Sequence, residues 1–340
     1  MLTRRQAVLA AAAVATAGTA RAQAYNPPAD LVAAARKEGR VVFYTASFSE
    51  PEQETIGAFN KRFPFVRVEM LRASGGQLIT RVKTEAAAGK LLADVVDHSD
   101  RALMQEIEGL FIDYAPPNAT DYLAASRVSP KLWPRITAVW CIAYHTELTK
   151  VPPKTWMDLT NPVYGDGQIG QVIGPSGGTT WTRIMFERQV LGEDYWVKQA
   201  ATKPALYPSG APASDALVRG EITIAPLIRN AIFSKKRDGA PVELVFPPEG
   251  LPLVPYASGI PKSSANPNAA RLFLDWCLST EGQAFTMREQ GNLTSLKVLP
   301  ITLDGYDPKV NKVWVPDGAQ FASLRNGWIE EWNKIYGYRQ

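Results

Sequence analysis

Small turns that carry hydroxyl groups follow several predicted strands, and they are the residues of this sequence best suited to chemistry. Ser47, Ser74-Gly75-Gly76 and Ser99 follow the first three strands, and Pro175-Ser176-Gly177-Gly178-Thr179-Thr180 follows a later one. Glycine lets the backbone approach a ligand, serine and threonine add uncharged donors, and free N–H groups at a helix start favour an anion. One such turn is equally typical of a helix N-cap, so the argument depends on their recurrence at strand ends.

Residue types needed for catalysis do not occur here at catalytic spacing. The sequence lacks a G-x-S-x-G elbow, an H-E-x-x-H pair and a G-x-x-x-x-G-K-[ST] loop. Its two histidines, His98 and His145, are far apart and favour hydrogen-bonded structural roles. Asp94, Asp97 and Asp100 surround a strand end, where they suit loop hydrogen bonds better than a metal cage. We therefore predict no enzyme, no metal site and no cofactor.

The elements that position these turns alternate between strand and helix. The first set is predicted as strand 41–45, helix 51–62, strand 66–71, helix 77–88 and strand 94–97. After a loop at 116–134, the second set has strands at 139–144, 169–173, 222–228, 242–246 and 254–260, with helices at 179–190, 267–278 and 321–336. This order predicts sheets covered by helices, and ligands of such sheets bind beyond the carboxyl ends of the strands.

Residues 1–24 have the layout of an export signal. Arg4 and Arg5 precede an alanine-rich apolar run, which ends in two A-x-A sites. The arginine pair favours the twin-arginine route and leaves general secretion as the alternative. The chain has 340 residues and a net charge of +4, but without the three arginines of this leader Lys+Arg falls from 37 to 34 against 33 Asp+Glu. The sequence thus predicts an exported, soluble periplasmic protein that does not bind nucleic acid and is not embedded in a membrane.

The two cysteines, Cys141 and Cys277, lie in apolar segments. Buried cysteine behaves as a small hydrophobic residue, so free core thiols are favoured over a disulfide.

The order of several segments resembles the periplasmic substrate-binding proteins of ABC importers, in the branch that binds ferric iron, sugar phosphates, phosphonates, thiamine and polyamines. The likeness is carried by the segments 41–47, 93–96, 153–159, 256–262, 268–276 and 279–283. It implies a type II fold of two α/β lobes, each a mixed, mostly parallel sheet flanked by helices, with hinge crossovers. It also implies closure on a ligand and delivery to a permease with its ATPase. We expect one lobe from 25–135 plus 253–303, the other from 136–252 plus 304–340, and a monomer.

The ligand expected from these features is a small organic anion, either a carboxylate or a phosphate or phosphonate ester. Iron binders of this branch use two neighbouring tyrosines near the strand that here reads 222–228, where this sequence has Ile228-Arg229-Asn230-Ala231. The anionic group would meet Ser176 to Thr180 and Arg229, and Tyr207 and Tyr256 would hold the ligand body. The candidate ligand-binding residues are Ser47, Ser74, Gly75, Ser99, Ser176, Gly177, Gly178, Thr179, Thr180, Tyr207, Arg229 and Tyr256.

Several alternatives remain open at this stage. Arg229 could instead form a structural ion pair, and Tyr207 could be a core residue. A ferric-iron transport protein, a periplasmic α/β enzyme and a protein that presents ligand to a membrane sensor are the competing functions.

Overall fold

The computed structural model describes residues 23–73, 75–303 and 305–339. The strands are β1 (Arg40–Thr45), β2 (Arg67–Arg72), β3 (Val95–His98), β4 (Trp133–His145), β5 (Gly170–Val172), β6 (Ala205–Tyr207), β7 (Ile224–Ile228), β8 (Val242–Val245), β9 (Leu251–Gly259) and β10 (Val313–Trp314). The α-helices are α1 (Ala29–Glu38), α2 (Ser49–Arg62), α3 (Gly75–Ala87), α4 (Arg101–Glu106), α5 (Gly178–Phe186), α6 (Tyr195–Ala200), α7 (Gly210–Val218), α8 (Arg229–Arg237), α9 (Pro267–Leu278), α10 (Thr280–Gln290), α11 (Gly318–Ser323) and α12 (Arg325–Ile335).

The strands form two sections of sheet that share β4. In the first section the order is β2-β1-β3-β9-β4, with β1 parallel to β2 and β3, and β9 antiparallel to both of its neighbours. In the second section β4 lies between β7 and β8 and runs antiparallel to both, while β5 is parallel to β6 and is bridged in parallel to β7. Apart from the two-residue strand β10, which is parallel to β9, four of the five described strands in each section thus run the same way, as the mixed, mostly parallel prediction requires.

The strand β4 is longer than the sequence predicts. It has 13 residues and begins at Trp133, inside the segment that was expected to be a loop. The register shifts between Pro134 and Thr137, because proline cannot donate to the ladder and the strand is irregular there. This long strand carries the chain from the first section into the second, and its neighbour β9 carries the chain back.

The first section is buried on both faces, and the alternation along β1 shows why. Val41 and Phe43 point into one core with α1, α2 and α9, whereas Val42 and Tyr44 pack on the other side with α3 and α4. Helix α1 ends at Gly39, whose φ of 68° is the left-handed conformation that glycine adopts easily. The sheet edge that carries the turns is therefore held between two layers of helices.

The C-terminal segment packs on the second section. The single helix expected at 321–336 is two helices, α11 and α12, which meet at Leu324. Trp332 is fully buried and Trp328 packs beside it, in a core that also contains Trp181 and Trp196. The tryptophans of this segment thus form a core face.

Both cysteines are buried and free, which confirms the favoured prediction. Burial raises the pKa of each thiol to about 12. Within the described ranges, no helix combines the length and the apolar character needed to span a membrane. The leader, residues 1–24, falls almost entirely outside those ranges. The division into lobes at 25–135 plus 253–303 and 136–252 plus 304–340 stays a prediction.

Candidate functional site

A cavity of about 620 Å³ lies at the carboxyl ends of six strands. Residues directly after β1, β3 and β6 line it, together with the turn from Pro175 that follows β5 and the last residues of β2 and β7. Its lining residues are Ala46, Phe48, Arg72, Gly75, Gly76, His98, Ser99, Asp100, Leu103, Trp140, Pro175, Ser176, Gly177, Gly178, Thr179, Thr180, Pro208, Ser209, Gly210, Ala211, Ile228, Tyr256 and Arg325. The two sections of sheet therefore present their carboxyl edges to one space, where the sequence predicts a ligand.

Three helices begin at this cavity. The first residues of α3, α5 and α7 line it, and these helices have 13, nine and nine residues. No described side chain caps the N-terminus of α5 or of α7. Gly177, which precedes α5, has a φ of 138° and nothing within 4 Å of the position a Cβ would take. Backbone N–H groups and the positive ends of three helix dipoles are thus gathered around one volume.

Arg72 supplies a cation at the rim. It is the last residue of β2 and is exposed, and its Nε donates to the carbonyl of Ser47 at 3.2 Å. This hydrogen bond fixes one side of the guanidinium, and the structure assigns no acceptor among the described residues to its terminal nitrogens. Arg72 therefore presents donors to the cavity without a carboxylate to neutralise it.

His98 connects two backbone segments at the carboxyl edge of the first section by hydrogen bonds. Its Nε2 lies 2.9 Å from the carbonyl of Gly75, and its Nδ1 accepts from the backbone N–H of Asp100 at 2.8 Å. These partners assign the tautomer with the proton on Nε2. Both ring nitrogens hydrogen-bond backbone groups, which is the structural role predicted for this histidine.

The two sections touch each other across one end of the cavity. Asp100, the N-cap of α4, accepts a hydrogen bond from Nη1 of Arg325 at the start of α12. Thr179 donates to the hydroxyl of Ser99 at 3.4 Å. A Cβ on Gly178 would lie 2.7 Å from the Cα of Asp100, so only glycine allows α5 to come this close.

Aromatic side chains form the inner wall. The indole Nε1 of Trp140 donates to the carbonyl of Thr179 at 2.9 Å, and Phe48 and Tyr256 line the same space. Burial, together with the carboxylates beneath it, raises the pKa of Tyr256, so the phenol stays neutral and can donate a hydrogen bond. The wall suits the uncharged part of a ligand.

Beneath this wall lies a fully buried ion cluster. Nη2 of Arg135 lies 2.5 Å from Glu52 and 3.0 Å from Asp97. Burial away from water raises the pKa of Glu52, and the charge of Asp97 adds to this rise, whereas the guanidinium of Arg135 opposes it. The cluster lies behind the cavity and is not part of its lining.

A model of the family described as "Bacterial extracellular solute-binding protein" matches residues 45–284. The chain belongs to this family of solute-binding proteins. A Haemophilus influenzae protein described as uncharacterized is 29% identical over 323 residues, which cover 88% of this chain and 91% of that protein.

Two solved structures resemble the solute-binding protein in fold. The periplasmic binding protein AfuA of Actinobacillus pleuropneumoniae, with fructose-6-phosphate bound, has a TM-score of 0.69 at 23% identity and covers 88% of this chain and 99% of its own. The substrate-binding protein of an ABC transporter from Agrobacterium tumefaciens has a TM-score of 0.74 at 16% identity and covers 87% and 94%. They confirm the predicted type II, two-lobed fold and leave the ligand of this protein open.

The cavity brings together most of the residues that the sequence singled out. Those that line it are Gly75, Ser99, Ser176, Gly177, Gly178, Thr179, Thr180 and Tyr256. Ser74 lies outside the described residues. Ser47 is buried behind the lining, where its hydroxyl hydrogen-bonds Glu52. Tyr207 packs in the core of the second section beside Gly170 and does not line the cavity, which agrees with the alternative left open for it.

Arg229 needs a correction, because the structure puts it at a different cavity. Its guanidinium carbon lies 4.5 Å from the ring centre of Phe233 and 5.9 Å from that of Phe246, and it lines a separate space of about 300 Å³ beside α8 and β8. The preceding Ile228 lines the ligand cavity. Arg229 is the first residue of α8, and its guanidinium packs on Phe233 of the same helix at the separate cavity.

Other lining residues escaped the sequence analysis. Ser209-Gly210 follows β6 and opens α7, which is the same local pattern as the predicted turns and could have been found by it. Arg72 ends a strand like many surface arginines, and Arg325 lies in a tail that the sequence relates to no other element. Nothing in the local sequence marks either arginine as a cavity residue.

Proposed function

We propose that this solute-binding protein captures a small organic anion, a carboxylate or a phosphate or phosphonate ester, by closing two lobes around it in the periplasm. It then delivers the anion to the permease and ATPase of an ABC importer. The observation that carries the proposal is the start of α3, α5 and α7 at one cavity with Arg72 at its rim. Helix N-termini and a guanidinium without a carboxylate partner favour negative charge.

The charge balance of the lining supports an anion over a cation. The described charged residues there are Arg72, Asp100 and Arg325, and the last two pair with each other. The remaining cation is Arg72. A ferric ion or a polyamine would face that guanidinium and three positive helix ends, and among the lining residues only Tyr256 is a tyrosine.

The contacts across the cavity support closure by the lobes. Ser99 and Asp100 belong to the first section, and Gly178, Thr179 and Arg325 to the second. A ligand that touches both lobes shifts the equilibrium toward the closed form by the difference between its affinities for the two states. We place the lobes at 25–135 plus 253–303 and 136–252 plus 304–340, with Gly75 and the 176–180 turn on opposite sides of the ligand.

Export and delivery rest on the sequence and on the family. Residues 1–24 supply the export signal, and the monomer is the form that meets the permease. A sensor partner is the alternative to an importer, and permease and ATPase genes beside this one would favour import.

The decisive experiment is native mass spectrometry of the purified protein, followed by identification of any released compound. An intact carboxylate or phosphate ester supports the proposal, whereas a released amine, a metal ion or a turnover product contradicts it. Calorimetry then tests fructose 6-phosphate and succinate against the cations thiamine and spermidine. A strong visible tyrosinate band on adding ferric citrate would favour the iron alternative.

A further inference from the structure

A second cavity, of about 460 Å³, lies on the other side of the first turn of α4. It is bounded by α4, by the segment 125–128 and by the segment 315–318 that leads into α11. It shares no lining residue with the ligand cavity. It therefore lies where the first section meets the C-terminal tail, which also carries Arg325.

Arg101 lines this second cavity and is 6% exposed. Its Nη2 donates to the carbonyl of Arg127 at 2.9 Å. Its Nε and Nη1 are buried and have no hydrogen-bond partner among the described residues. A buried guanidinium with unmet donors is costly, and folded proteins normally give such groups an acceptor.

The charges around Arg101 leave a positive excess. Arg127 also lines the cavity, where its guanidinium carbon lies 4.7 Å from the ring centre of Trp133. The acidic residue of the lining is Asp317, which accepts from the backbone N–H of Gln320 as the cap of α11 and forms no ion pair with any residue that the structure describes. Burial lowers the pKa of Arg101, and the charge of Asp317 opposes that shift without removing it. The lining thus contains two arginines and, among its described residues, one acid.

We infer that this second cavity is an accessory site for a compact oxyanion, such as sulfate, phosphate or a carboxylate group, held by Arg101 with Arg127 beside it. The anion accepts from the unpaired Nε or Nη1 of Arg101 and supplies the counter-charge that the protein lacks there. Because the site joins α4 to the segment that leads into α11, a bound oxyanion ties the tail to the first section. The site is independent of the anion captured in the ligand cavity.

The test uses sodium sulfate as the probe and measures the unfolding temperature of the whole protein, with sodium chloride at equal ionic strength as reference. We expect a saturable rise with sulfate in the wild type, and at least a tenfold loss of the apparent sulfate affinity in Arg101→Met. Arg127→Met should also weaken the effect. Arg62→Met, at a remote and half-exposed arginine, controls for general salting effects.

Arg72→Gln separates the two sites, because it removes the cation of the ligand cavity and leaves Arg101 in place. A sulfate effect lost in Arg72→Gln and kept in Arg101→Met would assign the anion to the ligand cavity and overturn the inference. An anomalous peak from selenate beside Arg101 in crystals would support it, and selenate confined to the ligand cavity would contradict it. If Arg101→Met unfolds at a higher temperature than the wild type in chloride, the test still holds. The rise in unfolding temperature caused by sulfate is measured for each variant against the same variant in chloride.

Discussion

Asp100 and Arg325 lie 225 positions apart in the chain and form an ion pair across one end of the ligand cavity. The carboxylate of Asp100 is almost fully buried, and the guanidinium of Arg325 is about three-quarters buried. Asp100 also accepts from the backbone N–H of Leu103 as the cap of α4. The pair thus joins the start of one helix in the first section to the start of another in the C-terminal tail.

Removing one partner of this pair should destabilise the protein. Arg325→Met leaves the buried carboxylate of Asp100 without its cation, so we expect a loss of about 1–2 kcal/mol in the free energy of unfolding. In a double-mutant cycle with Asp100→Asn, measured by urea denaturation, the coupling should be at least about 1 kcal/mol. The exposed pair Arg219–Glu221 is the control and should show no resolvable coupling. If the effects of the two substitutions are additive, Asp100 and Arg325 do not stabilise each other and the prediction is wrong.

Gly178 should be irreplaceable for the close approach of α5 to α4. A methyl group there would lie 2.7 Å from the Cα of Asp100, so Gly178→Ala must move the two sections apart. We expect a larger radius of gyration by small-angle X-ray scattering and weaker binding of the compound identified by mass spectrometry. Gly57→Ala is the matched control, because that position in α2 has nothing within 4 Å. Equal radii for the wild type and Gly178→Ala would contradict the contact.

Arg72 and Arg229 offer a direct test of which arginine serves the ligand. If Arg72 makes a charge-assisted hydrogen bond, Arg72→Gln should weaken an anionic ligand by about 1.5–3 kcal/mol in calorimetry. Arg229→Gln should leave that affinity unchanged, since Arg229 stacks on Phe233 at a separate cavity. If instead Arg229→Gln weakens binding and Arg72→Gln does not, Arg229 contacts the ligand and Arg72 does not.

Asp275 should make the stability depend on pH. Burial raises its pKa from 3.8 to about 6, although hydrogen bonds from Tyr114 and Tyr25 favour the charged form. Between these values the folded protein holds a proton that the unfolded chain releases, so stability falls as pH rises from about 4 to 6, by at most about 3 kcal/mol. Asp275→Asn should flatten this slope in urea denaturation. Asp113→Asn, at an exposed acid, should retain the slope, and an unchanged slope in Asp275→Asn would rule out this origin.

Much of the fold could be predicted because the signals are local. The alternation of Val41, Val42, Phe43 and Tyr44 fixes which side chains enter each core, and Gly39 ends α1 through its own backbone freedom. The turn at 175–180 could be predicted because glycine and hydroxyl residues directly after a strand favour a turn in any part of a fold. The failures also have physical causes. Trp133 to Thr137 was expected to be a loop because Pro134 interrupts the strand pattern, and pairing with β9 overrides it.

The sequence by itself determined most of the strands and helices and the small polar turns at the strand ends, since each depends on residues a few positions apart. The order of the matching segments along the chain indicated the class of protein. Only the tertiary structure decided which cations serve the cavity. Arg229 is the natural candidate from the sequence, but Ile228 at the end of β7 lines the ligand cavity, whereas Arg229 begins α8 and lines a separate cavity. Arg72 and Arg325 reach the cavity from a strand end and from the tail, because sheet order and helix packing bring distant segments to one edge.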